Sequence, residues 1–383
     1  MRKGEVTYEK LTYQVAMSTM TVPKEMQAWI VQGKGQAKLQ TTETPQIQPK
    51  GILVEVHNVG LNPTDWKHLD HFGNEGTTLG CDFVGVIVKK GEQCDTDLAV
   101  GDRVAGWVHG GYDKGFGAFA QYLQVFPEAL VKVPDSIPDE IAAGLGIPSF
   151  TAYMGLYQPK HLGLSAPSAD QQKPSPIDPS KKLLVWSGAG SVGQFVIQYA
   201  RASGLYVIAT ASPKNEAFLK GLGASEIFDY RDPSVAEKIA EAHPDLTYAY
   251  DGFSENGSSE ACARALSKTQ PSKLVTILPF SPELRSLNPK VQATCFLINT
   301  TKGRATDLLG VECSQKEAEE DNKFLGDFTR SKALINWLQC GLVQPDRTEP
   351  QSGGLESILE GLDLLRQGKV SGQKLTYSVK QSN

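Results

Sequence analysis

The chain has 383 residues and a net charge of −5, from 38 Lys and Arg against 43 Asp and Glu, a mild acidity that argues against nucleic acid as the main partner. A hydrophobic share of 40% belongs to a chain with a real core, which excludes a disordered protein, and the length suits two or three domains at roughly 150 residues each. The six cysteines are scattered with no C-x-x-C pair, which disfavours a disulfide framework or a cysteine-rich zinc lobe and points to a reducing, cytoplasmic setting.

In chain order, residues 1–26 form an N-terminal extension whose basic residues lack an apolar run, while Glu5 and Glu9 do not suit a mitochondrial presequence. From Met26 to about Val133, short β-branched runs broken by Gly and Pro (GILVEVHNVGLNP, FVGVIVKKGEQC, VGDRVAGWV, QYLQV) predict a strongly bent antiparallel β-barrel or sandwich. Asp139 to Tyr157 has small and apolar residues at helical spacing, and Pro148 is placed to break or kink that helical bridge. Residues 163–182, with four prolines among Ser, Gln and Asp, read as a surface insertion.

Beyond the insertion, apolar strand-like runs alternate with amphipathic helical ones, the signature of βαβ units and a doubly wound parallel sheet. The longest apolar stretch, Leu183 to Ala200, is broken by Ser187, Gly188, Gly190 and Gln194, so no membrane span is expected. A charged helix from Cys313 to Leu342, a second ending in EGLDLLRQGK and a closing strand KLTYSV complete the chain. The strand alternates as in an antiparallel barrel, so the tail is expected to return to the first domain.

Strand KLLVW runs into Gly188-Ala189-Gly190-Ser191-Val192-Gly193 and then a helix, G-x-G-x-x-G in the context that dinucleotide binding requires. Gly188 suits the tight turn, Gly190 the close approach of a pyrophosphate and Gly193 the packing of helix on strand, with N–H groups aimed at the phosphates. The alternatives are a glycine turn that merely packs and a nucleoside methyl-donor site. The second strand ends Ala209-Thr210-Ala211-Ser212-Pro213-Lys214-Asn215, with no acid for the ribose hydroxyls. A hydroxyl, an ammonium and an amide at Ser212, Lys214 and Asn215 instead favour a 2′-phosphate, hence NADPH over NADH, and Tyr230 is placed for the adenosine end. The plain alternative for Lys214 is a solvated lysine at a helix start.

A β-rich domain, a nucleotide domain with this turn and a return to the first domain resemble the medium-chain dehydrogenase/reductase superfamily. The resemblance is carried by Asn62-Pro63-Thr64-Asp65, Gly80-Cys81-Asp82-Phe83-Val84-Gly85, Val100-Gly101-Asp102-Arg103-Val104, Gly117-Ala118-Phe119-Ala120-Gln121-Tyr122, the glycine turn and Gly372-Gln373-Lys374-Leu375. It implies a GroES-like bent β-barrel (27–155, rejoined by 313–383) holding an inserted Rossmann NADPH-binding domain (183–312). Where zinc members of the superfamily carry their ligands, this chain has Asn62, Cys81-Asp82 and Pro148-Ser149, and a lone thiol does not hold zinc. The run Lys67-His68-Leu69-Asp70-His71 reads as a polar surface turn, so no metal is expected.

This leaves the zinc-free quinone and enoyl reductase branch. Within it the chain is similar to the fungal trans-acting enoyl reductases of polyketide pathways, through Lys67, the insertion with Ser168-Ala169-Asp170, the run Ser212-Pro213-Lys214-Asn215 followed by Phe228-Asp229-Tyr230-Arg231, and Leu278-Pro279-Phe280. The resemblance implies hydride delivery from NADPH to a conjugated C=C of an enoyl thioester or enone, small or carrier-bound, with a polyketide synthase as partner. Lys67 and Thr151 are the candidate catalytic donors. Asn62, Thr64, Asp65, Leu278, Pro279, Ser371 and Gly372 would line the cofactor, and Tyr153 and Met154 the substrate pocket. A quinone reductase and a non-catalytic NADPH-binding protein remain open, as does the choice of monomer or homodimer.

Overall fold

A computed structural model describes residues 22–379. Most of the expected N-terminal extension, residues 1–21, lies outside the described residues; from Glu25 the chain is already strand. Two compact units divide the described chain, the first made of residues 22–146, 348–369 and 375–379 and the second of residues 147–347 and 370–374.

In the first unit β1 (Glu25–Gly33) and β2 (Gln36–Glu43) form an antiparallel hairpin turned at Gly35, whose φ is +71°. β3 (Ile52–Gly60) is followed by a short helix, α1 (Pro63–Lys67), which leads to β4 (Asp82–Lys90), β5 (Arg103–Trp107), β6 (Tyr122–Val125) and β7 (Leu130–Lys132). These strands pair antiparallel in the order β3-β4-β5-β7, with β6 on β3. Two register shifts, at Leu53/Val54 and Val56/Asn58, bend β3. β3 is buried along most of both faces, which is why ILVEVHNVG does not alternate strictly.

The stretch read as one helical bridge is two helices, Asp139–Ala142 and α2 (Ile147–Tyr157). Between them Gly146 has no room for a side chain: a Cβ there would lie 2.4 Å from both Asp82 Oδ1 and the carbonyl of Gly106. The division between the units falls immediately after that glycine. Pro148 therefore sits in the first turn of α2, where a missing N–H costs nothing, and produces no kink.

The second unit contains a six-stranded parallel sheet of β8 (Asp178–Trp186), β9 (Leu205–Thr210), β10 (Glu226–Phe228), β11 (Tyr248–Asp251), β12 (Ser272–Thr276) and β13 (Val291–Cys295). Its order, β10-β9-β8-β11-β12-β13, reverses between β8 and β11, where a doubly wound sheet opens its ligand crevice. α3 (Ser191–Ala202) joins β8 to β9, and α4 (Glu216–Gly221) joins β9 to β10. The proline-rich insertion is strapped down: Trp337 Nε1 donates to the Ser168 carbonyl at 2.9 Å and Arg201 to that of Ser175 at 2.7 Å. Strand β8 already begins at Asp178, within the segment expected to be insertion.

Residues 313–347, expected to rejoin the first domain, belong to the second unit. The reason is aromatic: on α5 (Gln315–Arg330) Phe328 stacks on Tyr153 with centroids 3.6 Å apart, and Trp337 meets Tyr199 at 5.5 Å. The return to the first unit comes later, as β14 (Thr348–Gln351), α6 (Ile358–Arg366) and β15 (Lys374–Ser378), whose Thr376 pairs antiparallel with Gly60 of β3.

α5 also buries a charge. Asp321, fully enclosed, pairs with Lys160 at 2.6 Å and accepts from Thr300 and Gln158. Beside Lys160, the His161 ring is buried with Nδ1 3.0 Å from Thr294 Oγ1. Burial, followed by the Lys160 charge, pulls the ring's pKa from 6.5 down to about 4, with Asp321 opposing. Between those two values the unfolded chain binds the extra proton and the folded chain does not, so stability falls as pH drops through that window. His161→Asn keeps a partner for Thr294 and cannot titrate there. From about pH 7 to about pH 4, the wild type should lose up to about 3 kcal/mol more stability than this variant, read from urea midpoints.

Candidate active site

The glycine turn follows from β8 running straight into α3. Ser187, the residue after the strand, takes the left-handed conformation with φ of +65° and is held there from the neighbouring strand. Its N–H donates to Thr210 Oγ1 at 3.0 Å and the N–H of Gly188 to the Thr210 carbonyl at 2.9 Å. The tight turn expected of Gly188 thus falls on Ser187. Gly188 is needed for space instead, since a Cβ there would lie 3.0–3.2 Å from Ala209, Ile197 and Leu219. At Gly193 a Cβ would sit 2.3 Å from the Ser187 carbonyl, so helix and turn are in backbone contact. At Gly190 the nearest atoms, 3.3 and 3.4 Å away, both belong to Ser187, which leaves its outer side open. Ser191 and Val192 open α3, and the buried carboxamide of Gln194 donates back to the Ala189 carbonyl at 2.9 Å. Thr210 and Gln194 are not marked by the G-x-G-x-x-G pattern.

At the end of β9, Pro213–Asn215 forms a single 3-10 turn. Asn215 is buried and its Nδ2 donates to Ser212 Oγ at 3.3 Å. Lys214 is exposed, and no carboxylate among the described residues pairs with it. The acid nearest in sequence beyond β10, Asp229, is already engaged by Arg231, which with the neighbouring N–H holds its carboxyl below the usual range. Tyr230 beside it leaves 51% of its surface exposed, unusual for a large ring. Gly372, with φ of +75°, brings Ser371 and itself against the same turn; a Cβ at Gly372 would lie 3.0 Å from Asn215 Oδ1.

At the reversal point, Asp251 ends β11 and accepts from the N–H groups of Phe253 and Ser254 and from the hydroxyls of Ser258 (2.6 Å) and Ser259 (2.8 Å). Burial pushes this carboxyl up while its donors pull it down. Ser254 Oγ in turn accepts from Ile277 N–H, and Thr276 Oγ1 donates to the Leu278 carbonyl at 2.8 Å, which sets the Leu278-Pro279 segment. On α2, Thr151 is buried, and its carbonyl accepts from Tyr250 at 2.8 Å while its Oγ1 has no hydrogen-bond partner among the described residues. An orphaned buried hydroxyl is a cost that an absent partner would relieve. The proposed pocket residues next to it point elsewhere. Tyr153 stacks in the aromatic cluster with Phe328, where burial raises its hydroxyl to about 12, and Met154 is fully buried core.

In the first unit, Asn62 precedes α1 and its N–H donates to Asp65 Oδ2 at 2.7 Å, so the N-P-T-D motif closes on itself as a helix start. Thr64 and Lys67 are partly exposed on α1, with Lys67 Nζ 5.6 Å from the Trp66 ring centroid. Cys81 is buried and its thiol pushed well up, by burial first and then by Asp65 and Asp82, so it is held protonated. His68, Asp70 and His71 do not converge. His68 sits between the Gly110 carbonyl (2.8 Å) and His109 Nε2 (3.2 Å), Asp70 pairs with Arg366 at 2.8 Å, and His71 lies against Trp66 and Phe72. Among the described residues no group of three or more His, Cys, Asp or Glu is placed to hold a metal ion.

Residues 48–135 match the model of the alcohol dehydrogenase GroES-like domain. Over nearly the whole chain there are closer likenesses. A trans-enoyl reductase of Alternaria alternata is 36% identical over 359 residues, 92% of this chain and 98% of the relative. One of Aspergillus niger is 33% identical over 369 residues, 94% and 99% of the two chains. Among solved structures, the CurK enoyl reductase superposes with a TM-score of 0.67 at 22% identity, covering 93% of this chain and 99% of that one, which shows a shared fold.

Gly193→Ala tests the turn. With no room between helix and Ser187, the variant should lose at least tenfold in dinucleotide affinity, measured by quenching of intrinsic fluorescence, while keeping its far-ultraviolet circular dichroism.

Proposed function

The chain belongs to the trans-enoyl reductases, and from that premise we propose that it reduces the conjugated C=C of an enoyl thioester at the expense of NADPH, without zinc, in secondary metabolism. The observation that carries the acceptor class is the likeness of more than nine-tenths of the chain to relatives named for that activity. The fold takes a nicotinamide cofactor, and the residues present fit one: a glycine turn open at Gly190, a helix start beyond it, and the unpartnered hydroxyl of Thr151. The choice of NADPH rests on the end of β9, where Ser212, Lys214 and Asn215 offer donors and the adjoining acid, Glu216, is paired with Lys220 at 2.8 Å.

Such a cofactor supplies the hydride. The protein must then hold the acceptor, stabilise the oxygen on which charge develops and admit a proton at the α-carbon. For the oxygen and the cofactor's carboxamide and ribose we assign Lys67, a cation on α1, and Thr151, whose Oγ1 has a free proton to donate. Asn62 and Asp65 form the turn that fixes Lys67, and exchange no proton in this reading. The physiological acceptor is proposed to be carrier-bound, presented by a polyketide synthase.

Following the fall in reduced-nicotinamide absorbance with crotonyl thioesters, simple enones and quinones decides the acceptor. Turnover of the thioester, unchanged by a chelator, is expected, and turnover of quinones alone would replace this reading with a quinone reductase. Lys214→Ala should raise the KM for NADPH about tenfold and leave that for NADH nearly unchanged; equal effects on the two would remove the coenzyme assignment.

A further inference from the structure

Arg347 lies far along the chain from the nucleotide residues, yet within the second unit it contacts the residue behind the glycine turn, the Gly372 segment and the helix after β9. Its N–H donates to Gln194 Oε1 at 3.4 Å, and the same carboxamide donates to Ala189 in the glycine turn. Its carbonyl accepts from Lys374 at 2.8 Å, two residues after the Gly372 that packs on Asn215. Its guanidinium carbon is 3.9 Å from the centre of the Phe218 ring. Phe218 follows Lys214 by four residues, where the 3-10 turn runs into α4.

The side chain is exposed, and no carboxylate among the described residues pairs with it. Stacking on a ring face uses the π surface of a guanidinium and leaves its in-plane N–H donors uncommitted, the arrangement that suits a phosphate. An arginine needed only to neutralise a neighbouring acid, or to cap α4, would not be fastened at once to the glycine turn, the Lys214 helix and the Gly372 segment.

We infer that Arg347 is a further determinant of coenzyme choice, laid on Phe218 as a second cation for the 2′-phosphate beside Lys214. This rests on the NADPH reading above. Gln194 is the matching positioning residue, since one carboxamide sets both the turn that takes the pyrophosphate and the backbone that carries the guanidinium.

The test is equilibrium binding to the full-length protein of NADP+ against NAD+, and of 2′,5′-ADP against 5′-AMP, by titration calorimetry. Arg347→Met should weaken NADP+ and 2′,5′-ADP about tenfold and shift NAD+ and 5′-AMP less than about twofold. Arg347→Lys should recover part of the loss, and the preference of the wild type should shrink more steeply with added salt than that of Arg347→Met. Equal weakening of both pairs would make Arg347 a brace of the glycine turn alone and overturn the inference, as would no change in either. Loss of the preference in Lys214→Ala but not in Arg347→Met would overturn this inference and keep the coenzyme reading. A wild type that binds NADP+ no tighter than NAD+ would overturn both.

Discussion

The second unit depends on Thr210. Its hydroxyl and carbonyl take the N–H groups of Ser187 and Gly188, and those two bonds hold a non-glycine residue in a backbone region that costs on the order of 1 kcal/mol. With Ser187 fixed there, its carbonyl lies where only Gly193 can pass, so α3 starts directly against the turn. The helix start, the open side of Gly190 and the end of β9 are then set together, because the residue that clamps the turn is also the last of the strand leading to Ser212 and Lys214.

Carboxylates in this protein serve first as architecture. Asp65 takes the N–H of Asn62, Asp251 takes two N–H groups and two hydroxyls, and Asp321 takes an ammonium, a hydroxyl and a carboxamide. Each closes a loop that would otherwise leave buried polar groups unsatisfied.

The sheet architecture was legible because buried parallel strands read as apolar runs, and the amphipathic helices between them carry a different period. The turn's location was legible for the same reason, but its mechanics were not: the glycine pattern says nothing of Ser187 taking the left-handed conformation, or of Thr210 holding it there. Asp321 was hidden in a helix whose composition reads as solvated, since periodicity cannot tell a buried acid from an exposed one. His68, read with its neighbours as a polar surface turn, is buried, and its neighbour is His109, brought in after β5 from a distant stretch. Arg347 carries no local motif at all. What composition and spacing miss in each case is contact between residues far apart in sequence.

The chain leaves the first unit after Gly146 and closes it only when β15 pairs with β3, joining Thr376 to Gly60. Roughly 300 residues separate those partners, and at about 5–20 residues per second a ribosome takes some 15–60 seconds to make them. For most of that time β3 has β4 and β6 beside it, while the place of its C-terminal partner stands empty. The second unit, contiguous up to Arg347, has nearly all of its chain before that strand emerges. Synthesis thus imposes an order: the nucleotide-binding half can be nearly complete while the barrel still presents an unpaired strand edge, the state most exposed to aggregation and to capture by chaperones.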